Sequence, residues 1–362
     1  MGDPFLRTSV TLRHSIYVVS VKCFFIFYIL VGLPGGFQVR FLPIYFRKHG
    51  MSLAQVGLYR LLVLPWLLKG LWARYIDRHT DVRIWLKISL LLLVLLCVVA
   101  AQFPPTETIV VVTVLFLLNL ITSVQDTAVD TLILDAFTPS QLLIGNVAQS
   151  VGERVGSIIS GGVFSWYINF LDWSGVFYIM AALYGFGLLT SHILLPDWYA
   201  SRSAGAEQLQ MPSVQEQRSN FNAVASTNSQ VTIVESAKQT FSNASMWMIV
   251  FVLFYKIGEV GVLSLFPLFL VDKGIDASQI GLWLGIIGQS VAVVGSTATA
   301  FYSFTFILGP LTVLMIIRAV CVVISWMTVV SWSIDPKTCF GHCTDFITLA
   351  VFEFTNALIK RS

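Results

Sequence analysis

Apolar residues run in long blocks along this chain, and short polar or charged stretches separate them. Blocks fall at about 17–46, 55–75, 84–103, 109–137, 143–167 and 174–195, and again at about 246–271, 280–300 and 304–330. Each is long enough for a helix that crosses the hydrocarbon core of a bilayer, which takes about 20 residues. A final apolar piece, about 346–359, is shorter. Between the two sets lies residues 196–244, rich in Ser, Gln, Asn and Ala and without a long apolar run. That composition predicts a linker or loosely ordered loop. The pattern predicts an all-α, polytopic membrane protein: an N-terminal half over 1–195, a linker over 196–244 and a C-terminal half over 245–362.

Composition agrees with the pattern. Apolar residues make up 56% of the chain and charged residues 11%, against about 45–50% and about 25% in soluble domains. The net charge of +3 gives no footprint for nucleic acid. The five cysteines are scattered, and the Cys339, His342, Cys343 group lacks a second ligand pair, so neither a disulfide framework nor a metal site follows. No cofactor is implied. An enzyme working at a membrane face would need a His/Asp or metal constellation, and none of the five His pairs with a nucleophile.

Lys and Arg set the orientation. Arg7, Arg13, Arg74, Arg78, Arg83, Lys87, Arg202, Arg218 and Lys238 fall on one side, and Arg47, Lys48, Lys273 and Lys337 on the other. The positive-inside rule then puts the N-terminus and the 196–244 loop in the cytosol.

Within the fourth block stands Gln125-Asp126-Thr127-Ala128-Val129-Asp130. Asp126 and Asp130 are four apart, so they share one helix face. Carboxylates in hydrocarbon are costly and mark a substrate or proton pathway or, alternatively, a salt bridge between helices. Burial favours the neutral form of a carboxylate without a partner, so one of the two is a candidate proton carrier. The seventh block holds Lys256 and Glu259, three apart and able to pair with each other. Arg154, beside Glu153 in the fifth block, and Arg318 in the ninth are further interior charges. These cations are candidates to neutralise Asp126 or Asp130, or to meet an anionic substrate. In the first block, Gly32-Leu33-Pro34-Gly35-Gly36 predicts either a bend or interruption or close packing of small residues.

The chain also repeats itself. Pro43, Gly50, Gln55, Gly57 and Leu58 recur as Pro267, Gly274, Gln279, Gly281 and Leu282, each shifted by 224 residues. Both copies sit where the first helix of a block ends and the second begins. Two parallel repeats with a site between them are the plan of a large transporter class. Measured against the first copy, the second is about 58 residues short, which predicts about ten of twelve helices. A truncated, non-transporting form is therefore the alternative to a transporter.

Pro65-Trp66-Leu67-Leu68-Lys69-Gly70-Leu71-Trp72-Ala73 followed by Asp77, and the Gln125-Asp126-x-Ala128-x-Asp130 run, resemble the acetyl-coenzyme A transporter and muropeptide permease branch of the major facilitator superfamily. The resemblance covers about residues 20–335 and departs at Arg74, where that branch usually has proline. It implies a major facilitator fold of two six-helix halves and secondary transport by alternating access. The cavity would be lined by the first, fourth, seventh and tenth helices. The substrate implied is a small anionic solute such as acetyl-coenzyme A; the Asp126 and Asp130 pair adds protons as the expected coupling partners. In the loop between the second and third helices, the resemblance marks Asp77 and Arg78 as a conformational latch.

Overall fold

The computed structural model describes residues 21–70, 72–73, 76, 81–137, 142–208 and 264–301. Every regular element among them is helical. The helices are α1 (Val21–Lys48), α2 (Leu53–Leu67), α3 (Val82–Ala100), α4 (Thr108–Ala136), α5 (142–166), α6 (Trp173–Gln208), α7 (264–272) and α8 (277–301). Five of them carry spans long and apolar enough to cross a membrane. The chain is thus an integral, multi-pass membrane protein. The described elements are all-α, as the block pattern predicts; α3 and α4 begin and end, α5 ends and α8 begins within about three residues of their blocks.

The chain divides into two compact units, Met1–Leu195 with Leu270–Ser362, and Pro196–Phe269. In the second unit, residues 196–208 continue α6 and residues 264–269 are helical. The helix therefore runs past Pro196, where the composition predicts a loop to begin. Ser, Ala, Glu and Gln propagate a helix that packing has already nucleated.

In the larger unit, α3 turns a buried stripe toward the bundle and an aliphatic face outward. On α3, Leu86, Ser89, Leu90, Leu93 and Cys97 are buried, while Ile84, Ile88, Leu91, Leu92 and Leu95 are exposed. Exposed leucine and isoleucine over whole helix faces are what contact with lipid requires. Asp81 caps α3: it accepts from the Arg83 backbone N–H at 3.0 Å and binds the Arg83 guanidinium. The guanidinium of Arg83 holds the Asp81 carboxyl below its usual range.

Three helices depart from α geometry. Residues Phe37–Phe41 of α1, Ile158–Val163 of α5 and Gly281–Ile287 of α8 are π-helical. These wide turns pack against one another through glycine. A Cβ on Gly36 would strike Ser157 and Ser160, and one on Gly162 would lie 2.6 Å from the carbonyl carbon of Gly285. Gly32 is likewise pressed onto the backbone of Glu153. The 32–36 stretch therefore leads into an interruption and also packs through small residues, where the sequence leaves these as alternatives.

The internal repeat has the same backbone in both copies. Gly50 and Gly274 have φ of 83° and 82°. Gly50 N–H bonds Arg47 C=O and Met51 N–H bonds Phe46 C=O; Gly274 to Val271 and Ile275 to Leu270 match them, again 224 residues on. Both are helix ends closed by a left-handed glycine. The following helices also match, with Val56 bonded to Ser52 and Ile280 to Asp276. In the first copy Ser52 and Gln55 form a reciprocal capping box.

Candidate functional site: a charged cluster between four helices

Helix α4 carries a polar stripe through an otherwise aliphatic segment. Asn119, Asp126 and Asp130 lie seven and four residues apart, close to one face. At the upper level, Asn119 Nδ2 donates to Gln38 Oε1 at 2.5 Å and Asn119 Oδ1 accepts from Trp66 Nε1 at 3.1 Å. Gln38 in turn donates to the Tyr59 carbonyl at 2.9 Å. The network ties α1, α2 and α4 together, and it satisfies polar groups that hydrocarbon cannot.

Two turns on, Asp126 and Asp130 meet Lys69. Lys69 Nζ lies 2.8 Å from Asp126 Oδ2 and 3.5 Å from Asp130 Oδ2. Asp130 Oδ1 also accepts from Tyr28 Oη at 2.8 Å and from Gln149 Nε2 at 3.1 Å. One turn beyond Gln149 on α5, Glu153 lies in Coulombic range of Asp126, Asp130 and Lys69. The cluster thus draws on α1, on the chain just beyond α2, and on α4 and α5. Three carboxyl groups share it with one ammonium.

The two aspartates are not equivalent. The Asp126 side chain is 3% exposed, that of Asp130 is 31%, and Lys69 is 42% exposed. Asp130 has three donors, whereas Asp126 Oδ1 is buried without a hydrogen-bond partner. An orphan carboxylate oxygen in a dry site is a place for a proton. Lysine suits a shared position because its ammonium is a compact point charge on a flexible stem.

The other expected residues divide in two. Gln125 is fully buried, and neither of its amide atoms has a hydrogen-bond partner. Arg154 is half-buried on α5. Lys256, Glu259, Arg318, Asp77 and Arg78 lie outside the described residues. Lys69, Tyr28, Gln149 and Glu153 join the cluster without having been singled out as site residues. Lys69 carries a sequence signal as one of three basic residues, with Arg60 and Arg74, inside the apolar 55–75 block, and Glu153 carries one as an acid inside the 143–167 block.

A second polar group closes the far end of the unit. Tyr28 and Lys48 are 20 residues apart on α1, about 30 Å along the helix. Near Lys48, Arg47 Nε donates to Asp272 Oδ1 at 2.5 Å, Lys48 Nζ to Asn169 Oδ1 at 2.5 Å, and Asn169 Nδ2 to Asp276 Oδ1 at 3.4 Å. Ser278 Oγ donates to the Trp166 carbonyl at 2.5 Å. An open cleft of about 450 Å³ borders Arg47, Lys48, Asp272 and Asp276. These bonds join the two copies of the repeat.

Comparison with known proteins places this architecture. The chain is 23% identical over 274 residues to the anhydromuropeptide permease of Escherichia coli strain K12, a match covering 73% of this chain and 51% of the permease. The permease of Escherichia coli O157:H7 matches to the same extent. An uncharacterized protein of Haemophilus influenzae is 26% identical over 152 residues, 40% of this chain and 36% of that protein. The chain spans about half the length of the curated permeases it matches. The family model for the Major Facilitator Superfamily matches residues 24–351. With nearly the whole sequence inside that match and a bundle of apolar helices built on a tandem repeat, the chain belongs to the Major Facilitator Superfamily.

Proposed function

We propose that this protein works in secondary active transport, moving a small anionic solute by alternating access together with protons. The observation that carries the reading is the Lys69, Asp126, Asp130 cluster: two carboxylates inside a membrane-spanning helix, joined by a lysine whose side chain is 42% accessible. Charge at that depth is costly, and its retention there points to a pathway. The permease relatives support transport over catalysis. The substrate class, an acetyl-coenzyme A-like anion, follows the sequence resemblance. Residues Tyr255, Lys256, Gly258, Glu259 and Gly261 with Ser264 and Pro267 resemble major facilitator superfamily domain-containing protein 3 in particular. In this reading the N-terminus and the 196–244 linker are cytosolic, halves 1–195 and 245–362 rock about the site, and Asp77 with Arg78 latches one state. Gln125, Arg154, Lys256, Glu259 and Arg318 line the path.

The test is uptake of labelled acetyl-coenzyme A into liposomes holding the purified chain, across imposed pH gradients, with an anhydromuropeptide as a second probe. Uptake that rises as the outer side is acidified is the expected result. Asp126→Asn or Asp130→Asn should abolish that response and leave substrate exchange intact. Both variants keeping the wild-type response would make the pair a structural salt bridge. No uptake of either probe by any form would favour a non-transporting membrane protein.

A further inference from the structure

Charge arithmetic at the cluster raises a difficulty for an anionic substrate. Asp126, Asp130 and Glu153 face one ammonium, that of Lys69. Tyr28 on α1 and Gln149 on α5 add neutral donors, both spent on Asp130. Arg154, on α5, is half-buried one residue beyond Glu153. With all three acids ionised, an anion approaching the 42%-exposed lysine meets net negative charge. Lys69 is also already occupied, at 2.8 Å by Asp126 and at 3.5 Å by Asp130. In that fully ionised state the site repels an anion.

One element of the geometry resolves this. Asp126 holds Lys69 through Oδ2 only, and Oδ1 has no partner. A proton arriving at the Asp126 carboxyl removes one negative charge and loosens its hold on Nζ, while Asp130 keeps Tyr28 and Gln149 as donors. The flexible lysine stem can then swing its charge to another oxyanion.

We infer that Lys69 is the anion receptor of the transport site and that Asp126 and Asp130 hold it shut: an anionic group of the substrate takes the lysine only after a proton has displaced it from a carboxylate. This rests on the transport reading above and adds the receptor and the order of binding, proton before anion. The proton leaves hydronium, breaking an O–H bond there and forming one on the carboxylate oxygen, and the substrate's oxyanion replaces that carboxylate at Nζ; the proton transfer is the only bond change.

The test uses the purified full chain at one fixed pH and two amine reagents that differ in charge. Pyridoxal phosphate is an anionic aldehyde, and formaldehyde is neutral; borohydride fixes each on lysine, and mass spectrometry reads Lys69 against the exposed Lys48. The ratio of anionic to neutral labelling cancels changes in the amine's own reactivity. Asp126→Asn, or Asp130→Asn should the buried site not tolerate change, should raise that ratio at Lys69 by about fivefold or more, the effect of one unit charge at ~4 Å under full aqueous screening. Lys48 should not respond, which also reports an intact fold. An unchanged or lowered ratio at Lys69 in both variants overturns the inference. Added acetyl-coenzyme A should protect Lys69 in the variants. A raised ratio without such protection would sink that substrate and leave the anion receptor standing.

Discussion

At the residue scale, the cluster is a problem of unequal solvation solved by one shared cation. Asp126 and Asp130 are one turn apart, yet one is dry with a single partner and the other is wet with three. The two aspartates were legible in the sequence because helical spacing places i and i+4 on one face. Their partner was not, because Lys69 is 57 residues from Asp126, and spacing says nothing about which helices become neighbours. The shared cation predicts non-additive stability. Lys69→Met leaves two facing carboxylates unneutralised, which in a buried site costs 3–5 kcal/mol or so. The exposure of Lys69 reduces this to about 1–3 kcal/mol. Adding Asp126→Asn to Lys69→Met should restore part of the loss, although Asp126→Asn alone destabilises. Thermal unfolding of the four forms in detergent checks the sign. Strictly additive losses would show that the pair is not coupled.

At the element scale, the apolar blocks gave α3, α4, α5 and α8 with little error, since an apolar run of about 20 residues satisfies its own backbone in lipid as a helix. They did not tell lipid face from bundle face. On α3 both faces are aliphatic because lipid tails are as apolar as leucine, so the buried stripe leaves no mark in the hydrophobic pattern. The π turns were also invisible, apart from the glycines at 36, 162 and 285 where they meet. These glycines differ in kind from Gly50 and Gly274, and substitution should separate them. At Gly50 and Gly274 an added Cβ meets nothing within 4 Å, and the constraint is the positive φ. Alanine at either should cost about 1–2 kcal/mol, with asparagine milder. The two repeats should respond alike. At Gly162 the backbone is helical but a Cβ falls 2.6 Å from Gly285, so Gly162→Ala must push α5 from α8. A larger loss in melting temperature for Gly162→Ala than for Gly50→Ala is expected. Equal losses would mean that the α5–α8 contact yields easily.

At the scale of the whole molecule, the repeat made two related blocks legible, and the matching glycine-capped helix ends bear out that relationship. Which helices of the two blocks touch was not legible, since that depends on where the blocks close against each other. In this structure they close at the end holding Arg47, Lys48 and Asn169 on one side and Asp272, Asp276 and Ser278 on the other. The ion pair is half-exposed, with side chains 25% and 35% accessible, so it adds little to overall stability. Between two conformations of similar energy a small contribution matters more, because ~1 kcal/mol of any origin shifts populations about fivefold. Breaking the pair should therefore move the balance toward a state open at this end without unfolding the protein. Spin labels at Met51 and Lys273, in the two repeat-related turns, report the separation directly. Arg47→Asp should deplete the short-distance population by about fivefold, and Asp272→Arg should do the same. The double exchange, Arg47→Asp with Asp272→Arg, restores the attraction with its ends reversed and should recover the short distance. Recovery identifies the pair as the closure itself. If each single variant leaves the distances unchanged, the glycine contacts of α5 and α8 hold this end shut, and the ion pair is a surface contact of no conformational weight.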